Sequence, residues 1–395
     1  MNSLFSKSFL SLFIIFLSAH DPLCCSAFSL SSDSSNILGR NYDWYFGNCL
    51  IMVNKRNISK KVFLCNNSIF SRRLIKNVKM DIEPEIIPED SIVLSWISKY
   101  GSITFNQYGR GFPLEGMNEA GLVITLLQTS DTHYPIPDSR SPVDIFTWIQ
   151  YQLDNCASIN DVIKTNNKIR IHSASIPVHF ILSDRSGICS VIEFIGDTLT
   201  SFSDTSLPYT VLTNTLYLQS LKYYQLHWDG NIPNKKSSFH RFSVIADMQE
   251  RQNGRPDDTY AFEILQSVSR NPNGLLCFFL RLFQKEILAM YTQWSVVYDI
   301  KNQKIHFKSL LNSDVKSLSL LDFDFSCSKP CLILDINTRK KGNVSQYFFP
   351  FSIQSNRVLI EKSFSRLNKK FYFYKNVSYT ALNSLVNHPQ YFLCK

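Results

Sequence analysis

Residues 25–44 of the chain are Cys25-Ser-Ala-Phe-Ser-Leu-Ser-Ser-Asp-Ser-Ser-Asn-Ile-Leu-Gly-Arg-Asn-Tyr-Asp-Trp44. Two short alternating segments lie on either side of a Ser/Asp cluster at residues 31–35. Alternating segments that flank a cluster of turn-forming residues are typical of a β-hairpin. The stretch therefore predicts a hairpin, and when the hairpin folds back it brings Arg40 and Asp43 close to Cys25.

The residues before this hairpin have the pattern of a secretory signal peptide. Lys7 is the only charged residue before Asp21, and an uncharged apolar run of nine residues spans 9–17. At a rise of about 1.5 Å per residue, such a run makes a helix less than half as long as a bilayer is thick. A basic start, a short apolar run and small residues after it are typical of a signal that is removed on export. We therefore expect residues 1–24 to be a signal peptide with a short propeptide as an option, and the mature protein to be secreted or periplasmic.

A cysteine that follows a removable segment can become the first residue of the mature protein. It then carries a thiol nucleophile and a free α-amine with a model-peptide pKa of about 7.7–8.0, so the amine can accept the thiol proton near neutral pH. Asp43 can hold the α-ammonium through a charge-assisted hydrogen bond, and Arg40 can favour the thiolate. A cysteine at this junction is therefore a candidate for both nucleophile and base, and the alternative is a structural or disulfide-bonded cysteine. Cys24 is the alternative first residue, and cleavage after Ala19 would instead leave a propeptide that the Cys25 thiol removes.

The sequence around this hairpin resembles the choloylglycine hydrolase and penicillin V acylase family of linear amide C–N hydrolases, which are N-terminal-nucleophile enzymes. The similar segments follow the family order at 25–28, 39–44, 100–110, 116–122, 211–215, 238–242 and 292–299. Each segment alone is a weak signal, but the ordered set is specific. The resemblance implies a four-layer αββα sandwich, with two antiparallel sheets flanked by helices and Cys25 at the end of a central strand. It also implies hydrolysis of a linear amide C–N bond.

The resemblance makes Cys25 the nucleophile and the free-amine base, gives Arg40 and Asp43 the roles stated above, and adds two more residues. Asn214 corresponds to the oxyanion-hole asparagine of the family, and Arg241 to the arginine that supports the active site. Gln128 falls at the second oxyanion position, ten residues after Asn118. The alternative interpretation of Gln128 is a polar residue at the end of a strand. Asn118 itself is expected to form a turn.

The aromatic residues Trp44, Tyr45 and Phe46 follow the hairpin directly and are candidates for an apolar acyl pocket, although the same side chains are equally suited to fill the core. The resemblance implies a small-molecule acyl amide as substrate. Acyl groups in the family range from phenoxyacetyl through bile acids to fatty acyl chains. Two alternatives stay open: a lipid amidase of the acid ceramidase or N-acylethanolamine type, and an inactive secreted binding protein of the same fold. The intact set of five catalytic residues favours an enzyme.

Composition excludes several classes of protein. With 44% hydrophobic residues, 30 Phe and 18 Tyr among 395 residues, the chain is too apolar and aromatic for disorder. The net charge of +9 says nothing about fold. We find no nucleic-acid-binding motif, no nucleophile elbow, no phosphate-binding loop and no histidine spacing suited to zinc. We therefore expect no nucleic-acid partner, no membrane span after signal removal, and no metal or cofactor.

The remaining pattern mixes strands and helices without the regular β-α-β spacing of a parallel sheet, which favours an α+β fold with mainly antiparallel sheets. We expect a single domain over residues 25–395. The interval between Asn214 and Arg241 is too short for the assembly hairpin of tetrameric bile salt hydrolases, so the oligomeric state is left unspecified. Further strands are predicted at 92–96, 102–105, 121–127, 178–182, 189–195, 294–300 and 304–307. A helix is predicted at 259–268, and another with Ser141 as N-cap and Pro142 at its first position.

Two further features concern cysteines and positive charge. Ten cysteines are too few for a disulfide scaffold in a chain of this length, and Cys327 with Cys331 is one candidate local pair. Residues 55–79 contain eight Lys or Arg residues and no acidic residue. Such a run suits anionic lipid or an acidic substrate, but we favour a solvated loop and an edge strand protected by charge.

Overall fold

The computed structural model describes residues 25–63, 92–172, 175–230, 237–252, 256–284, 288–370 and 379–395. The predicted signal peptide and most of the basic run, including its last four cations, lie outside these ranges. The strands are β1 (Ser26–Ser32), β2 (Ser35–Trp44), β3 (Leu50–Asn54), β4 (Ile58–Phe63), β5 (Ile92–Ile97), β6 (Ser102–Asn106), β7 (Pro113–Asn118), β8 (Val123–Gln128), β9 (Ser141–Val143), β10 (Ile169–Ile171), β11 (Val178–Ser183), β12 (Cys189–Ile195), β13 (Thr198–Ser203), β14 (Val211–Leu212), β15 (Tyr291–Asp299), β16 (Lys304–Ser309), β17 (Lys316–Ser319), β18 (Leu332–Asp335), β19 (Gly342–Asn343), β20 (Phe349–Pro350) and β21 (Leu393–Cys394). The helices are α1 (Ile145–Asn155), α2 (Ile159–Thr165), α3 (Tyr217–His227), α4 (Ser238–Glu250), α5 (Asp258–Ser267), α6 (Gly274–Phe283), α7 (Ile353–Lys370) and α8 (Tyr379–Asn387).

Two large sheets form the body of the protein. One has seven strands in the order β14-β1-β2-β15-β16-β17-β19, and the other has nine in the order β13-β12-β11-β8-β7-β6-β3-β18-β20. Rings from both sheets meet between them, since Phe105 of β6 packs edge-on against Tyr298 of β15 and Phe307 of β16. Helix α1 packs on β7 and β8, while α4 and α5 pack on β1, β2, β14 and β15. The predicted α+β sandwich of two mainly antiparallel sheets with helices outside is confirmed.

The hairpin predicted from residues 25–44 is β1 and β2, which pair antiparallel with Ser26 opposite Asn41 and Phe28 opposite Gly39. Glycine is required at position 39, because a Cβ there would lie 2.7 Å from the Phe28 ring. Cys25 stands directly before β1. This strand is second in the seven-strand order, next to the two-residue β14. The expected central strand is therefore an interior strand near one edge of the sheet.

Most other predicted elements are found within a few residues of their expected bounds. The hairpins β11–β12 and β15–β16 are antiparallel pairs, and α5 covers the predicted helix. Asn118 forms a turn as expected, since its side-chain oxygen accepts hydrogen bonds from the backbone N–H groups of Ala120 and Leu122. No helix within the described ranges is long and apolar enough to cross a bilayer.

The predicted start of the first helix is wrong, because the residues assigned to it form a strand. Ser141 and Pro142 belong to β9, which pairs in parallel with β10, and the helix begins after Asp144. The Asp144 carboxylate accepts hydrogen bonds from the backbone N–H groups of Phe146 and Thr147, at 2.9 and 3.0 Å. Both Ser and Asp are good N-cap residues, and the pairing of β9 with a distant strand decides between them.

The predicted local cysteine pair is also wrong. Cys327 forms a disulfide with Cys394, with the two Cα atoms 5.4 Å apart, and Cys331 is a buried free thiol. The bond joins segments separated by 67 residues. Spacing along the sequence could not have identified such a partner.

Two cations at the start of the basic run are buried rather than solvated. Lys55 and Lys60 are 3% and 2% exposed, and β4 is the middle strand of the sheet β21-β4-β5, not an edge. Lys60 Nζ lies 2.7 Å from Asp154 Oδ2, which also accepts a hydrogen bond from Trp96. The counter-charge from α1 makes burial of Lys60 tolerable, because a buried charge needs a hydrogen-bonded partner. The predicted edge strand is therefore wrong for β4, and the predicted solvation is wrong for Lys55 and Lys60, whereas the Arg56 side chain is 44% exposed.

Candidate active site

The alternation of β2 sends its predicted catalytic residues to opposite faces of the sheet. Successive side chains in a strand point to opposite faces, so the side chains at positions 40 and 43, three residues apart, lie on opposite faces of the sheet. Arg40 points between the two sheets, where its guanidinium forms a fully buried ion pair with Glu115 at 2.8 Å and donates to the carbonyl of Leu126 at 2.8 Å. Burial opposes this charge, but the Glu115 carboxylate and then the Cys25 thiolate raise the pKa of Arg40. Arg40 is thus a permanent cation close to the thiol.

Asp43 lies on the face that packs against the helices. It is 2% exposed, and neither carboxylate oxygen has a hydrogen-bond partner of normal geometry in the described part of the chain. Burial raises the pKa of Asp43 to about 6, against the opposing effects of the nearby Thr292 hydroxyl and of the positive charges of Arg241, Arg270 and Arg40. Asp43 is therefore a buried acid with cationic neighbours, and its carboxylate oxygens can accept further hydrogen bonds.

Cys25, the predicted nucleophile, stands directly before β1 and is 7% exposed. Its Sγ lies 3.6 Å from the backbone oxygen of Asp43. The Cys25 carbonyl accepts a hydrogen bond from Arg241 Nη2 at 3.2 Å, and the hydroxyl of the next residue, Ser26, accepts one from Arg241 Nε at 3.1 Å. The chain at the predicted nucleophile is therefore fixed by one guanidinium from α4.

The same guanidinium also orients Asn214. Arg241 Nη2 donates to Asn214 Oδ1 at 2.7 Å, and the backbone N–H of Asn214 donates to Ser238 Oγ at 2.9 Å. Asn214 Nδ2 donates to the backbone oxygen of Gln128 at 2.7 Å. The contact from Gln128 thus comes from its carbonyl at the end of β8 rather than from its side-chain amide. The structure brings together Cys25, Asp43, Asn214 and Arg241 as the sequence predicted, with Arg40 behind the thiol on the other face of β2.

The three aromatic pocket candidates have different surroundings. Phe46 is fully buried and Tyr45 is 5% exposed, with Lys370 Nζ 4.2 Å from the centre of the Tyr45 ring. Trp44 is partly exposed and packs edge-on against Tyr45 at 5.4 Å. Phe46 thus fills the core, and Trp44 is the one of the three that also reaches the surface.

The sequence did not predict the buried polar groups that contact Arg40 and the residue before Asn214. Glu115, the partner of Arg40, also accepts a hydrogen bond from Trp294 Nε1 at 2.9 Å. The ring nitrogens of His179 lie 3.0 Å from Glu193 Oε1 and 2.6 Å from the carbonyl of Thr213, the residue before Asn214. A polar residue inside an otherwise apolar strand is the signal that could have identified these groups.

Potential metal ligands are not clustered in the part of the chain that the structure describes. Within it, no group of three or more His, Cys, Asp or Glu residues is arranged to hold a metal ion. The site is built from a thiol, a carboxyl, an amide and two guanidinium groups.

Comparison with known proteins identifies the family. Residues 24–333 match the family model described as linear amide C–N hydrolases, choloylglycine hydrolase family. A penicillin V acylase from Pectobacterium atrosepticum is 25% identical over 300 residues, which cover 65% of this chain and 77% of that protein.

Solved structures agree on the fold. A penicillin V acylase from Agrobacterium tumefaciens superposes with a TM-score of 0.62 at 22% identity, covering 83% of this chain and 98% of that one. A variant of conjugated bile acid hydrolase from Clostridium perfringens gives a TM-score of 0.58 at 16% identity, covering 80% and 98%. The chain therefore belongs to the choloylglycine hydrolase family of linear amide C–N hydrolases, enzymes that act on carbon–nitrogen bonds other than peptide bonds.

Proposed function

We propose that this protein is a secreted, cysteine-dependent amidohydrolase that cleaves N-acylated small molecules after Cys25 has become its first residue. The observation that carries the proposal is the buried Asp43 carboxylate, neither oxygen of which has a hydrogen-bond partner of normal geometry among the described residues, while the backbone oxygen of Asp43 lies 3.6 Å from Cys25 Sγ. Burying a carboxylate without a partner is unfavourable. Removal of residues 1–24 would create an α-ammonium on Cys25, and this group is a charged donor of the hydrogen bonds that the Asp43 carboxylate can still accept.

The acylation step uses the thiol and amine of one residue. The neutral α-amine of Cys25 takes the thiol proton, and the thiolate attacks the amide carbonyl and forms a C–S bond. The tetrahedral intermediate then breaks its C–N bond, and the α-ammonium gives the proton to the leaving amine. Arg40 favours the thiolate through its charge, and Asp43 holds the amine in place.

The deacylation step reverses the same proton movements. Water attacks the thioester carbonyl and gives a proton to the α-amine, and the C–S bond breaks as the thiol is restored. The products are a carboxylic acid and an amine. The protons that move in both steps are thus carried by the thiol, the α-amine and water.

Asn214 is the side chain best placed to stabilise the oxyanion in both steps. Its Nδ2 carries two hydrogens, and the Gln128 carbonyl takes one of them. The second is available to a substrate oxygen. Because Arg241 bonds the Asn214 oxygen, the amide cannot flip and present an acceptor instead. Arg241 is therefore a positioning residue, and Gln128 stays a candidate for a second side-chain donor.

The substrate class follows from the relatives and from the partly exposed Trp44 at the site. The similar proteins include a penicillin V acylase and a conjugated bile acid hydrolase, so we propose an amide of an aromatic or apolar acyl group. A panel of three soluble amides tests this: phenoxymethylpenicillin, a glycine-conjugated bile acid and an N-acylethanolamine. Turnover of only the last would favour the lipid amidase alternative.

N-terminal sequencing and intact mass of the secreted protein test the nucleophile. We expect a mature chain that begins at Cys25 and hydrolyses a cleavable acyl amide. Cys25→Ser should abolish turnover without loss of fold, and Cys24→Ser is the matched control, expected to mature and keep activity. A mature terminus beyond Cys25, or wild-type turnover by Cys25→Ser with an inactive Cys24→Ser, would contradict the proposal.

A further inference from the structure

Helix α6 carries five large apolar side chains on its outer face. Leu275, Phe278, Phe279, Leu282 and Phe283 are between 45% and 70% exposed. Their positions follow the i, i+3, i+4, i+7, i+8 pattern of one helix face. We call these five residues the α6 stripe.

The opposite face of the helix is apolar as well. Cys277 and Leu280 are 8% and 4% exposed and anchor the helix on the protein. A helix on the surface of a soluble protein normally presents polar residues to water, and a contiguous exposed apolar patch marks an interaction site. Within the stripe, the Phe279 and Phe283 rings stack with their centres 6.2 Å apart. The stripe therefore has the composition of a binding face.

The sequence around α6 is basic. No acidic residue occurs between Glu263 and Glu286, whereas Arg270 and Arg281 fall in this interval. Arg281 Nε donates to the carbonyl of Leu310 at 3.0 Å, which holds the guanidinium beside the helix.

A cationic cleft opens at the C-terminal end of α6. The cleft has a volume of about 630 Å³ and is lined by Gln284 of the helix end, by the cations Lys340, Lys362 and Arg366, and by the acid Asp335. Among the described residues that line the cleft, cations outnumber acids, which favours an anionic ligand. An apolar helix face beside a basic pocket matches the boundary of a lipid bilayer, where acyl chains meet anionic headgroups.

The N-terminal end of α6 is close to the catalytic residues. The backbone N–H of Arg270 donates to Thr292 Oγ1 at 2.8 Å, and the backbone N–H of Thr292 donates to the Arg270 carbonyl at 2.9 Å. Thr292 pairs with Asp43 across β2 and β15. The segment that leads into the helix is thus fixed at the active-site end of the sheet.

We propose that α6 docks the protein on the surface of anionic lipid bilayers. The α6 stripe enters the boundary between headgroups and acyl chains, and the cleft with Lys340, Lys362 and Arg366 binds anionic headgroups. The docked protein lies on the membrane and does not span it. The proposal does not depend on the amidase chemistry.

Vesicle sedimentation tests the proposal. The mature protein is mixed with phosphatidylcholine vesicles with or without phosphatidylglycerol, and the bound fraction is measured at low and high salt. We expect binding to the anionic vesicles that weakens with salt. The triple variant Phe278→Ser, Phe279→Ser, Phe283→Ser should bind at least tenfold more weakly. The control Leu226→Ser, Leu321→Ser removes side chains that are 63% and 77% exposed outside the stripe, and it should bind as wild type.

Three results would overturn the proposal. The first is that the wild type does not bind anionic vesicles, and the second is that the triple variant binds them as well as wild type. The third is that wild type forms a concentration-dependent dimer and does not bind vesicles, whereas the triple variant stays monomeric. The last result would assign the stripe to a second copy of the chain. Thermal unfolding of each variant checks that the fold is kept. Hydrolysis of a soluble amide is measured in parallel, so a failed amidase assay and a failed docking assay remain distinguishable.

Discussion

Arg241 and Asn214 are joined by a 2.7 Å hydrogen bond between Nη2 and Oδ1, and the same Nη2 also donates to the Cys25 carbonyl at 3.2 Å. One guanidinium from α4 therefore fixes both the predicted nucleophile and the predicted oxyanion donor. The planar fork of arginine is needed for this, because lysine offers a point charge without a fixed set of donors.

Arg241→Lys should lower kcat while leaving KM nearly unchanged. The charge is kept, but the amide of Asn214 loses its orienting partner, so oxyanion stabilisation falls. We expect a loss of about 10²-fold, comparable with loss of one oxyanion-hole donor. Steady-state kinetics on a soluble acyl amide measure it. The matched control is Arg251→Lys at the end of the same helix, whose side chain is 72% exposed. An increase in KM with unchanged kcat would contradict the positioning role.

Glu115→Gln should destabilise the protein strongly. The Arg40–Glu115 pair is fully buried, and removing one partner of such a pair leaves an uncompensated charge. Breaking a buried pair typically costs about 3–5 kcal/mol. Urea unfolding of the mature protein measures the change. Glu361→Gln, which removes an exposed i,i+4 partner of Arg357, should cost no more than about 0.5 kcal/mol. Equal stability of the two variants would show that Arg40 does not need its counter-charge.

The pKa of Asp43 makes the uncleaved chain more stable in acid. Burial raises this pKa to about 6 from a usual value near 3.8, so the folded state holds the proton more tightly than the unfolded state. The contribution of Asp43 to the free energy of unfolding should therefore fall as pH rises from about 4 to 6, by up to roughly 3 kcal/mol. A chain that begins at His20 and carries Cys25→Ala provides the uncleaved form. Adding Asp43→Asn should remove this pH dependence in urea unfolding, and an unchanged slope would count against it.

The sequence was most informative where a local pattern and a chemical requirement coincide. Alternation and a Ser/Asp turn predicted β1 and β2, and the spacing of Arg40 and Asp43 from Cys25 predicted a cluster that the hairpin register brings together. The burial of Lys60 was not predicted because its counter-charge, Asp154, lies on a helix and is 94 residues away in the sequence.

Two other features could not be predicted from local sequence patterns, for the same reason. Asp144 rather than Ser141 caps α1 because β9 pairs with β10, and Cys327 bonds Cys394 because the C-terminal strand returns beside β4. Each of these depends on a contact between distant segments. Periodicity and capping rules describe only neighbours in the chain, so the hairpin could be predicted and these long-range contacts could not.

Asp43→Asn should move the acid limb of kcat/KM downward in the mature enzyme. The α-amine of Cys25 must be neutral to accept the thiol proton, so its pKa sets the acid limb. An anion beside an ammonium favours the charged form and raises that pKa. Removing the anion should lower the amine pKa and shift the limb by about one to three pH units toward acid. The maximal rate should fall as well, because the amine loses its orientation.

The pH–rate profiles of wild type, Asp43→Asn and a set of single His→Gln variants on one cleavable amide measure this shift. The His→Gln variants are the controls, because a Cys–His pair would place the acid limb on a histidine instead. In a single-residue mechanism none of them should reproduce the shift. If the limb disappears with one histidine and stays fixed in Asp43→Asn, the base is that histidine and the α-amine of Cys25 has no part in proton transfer.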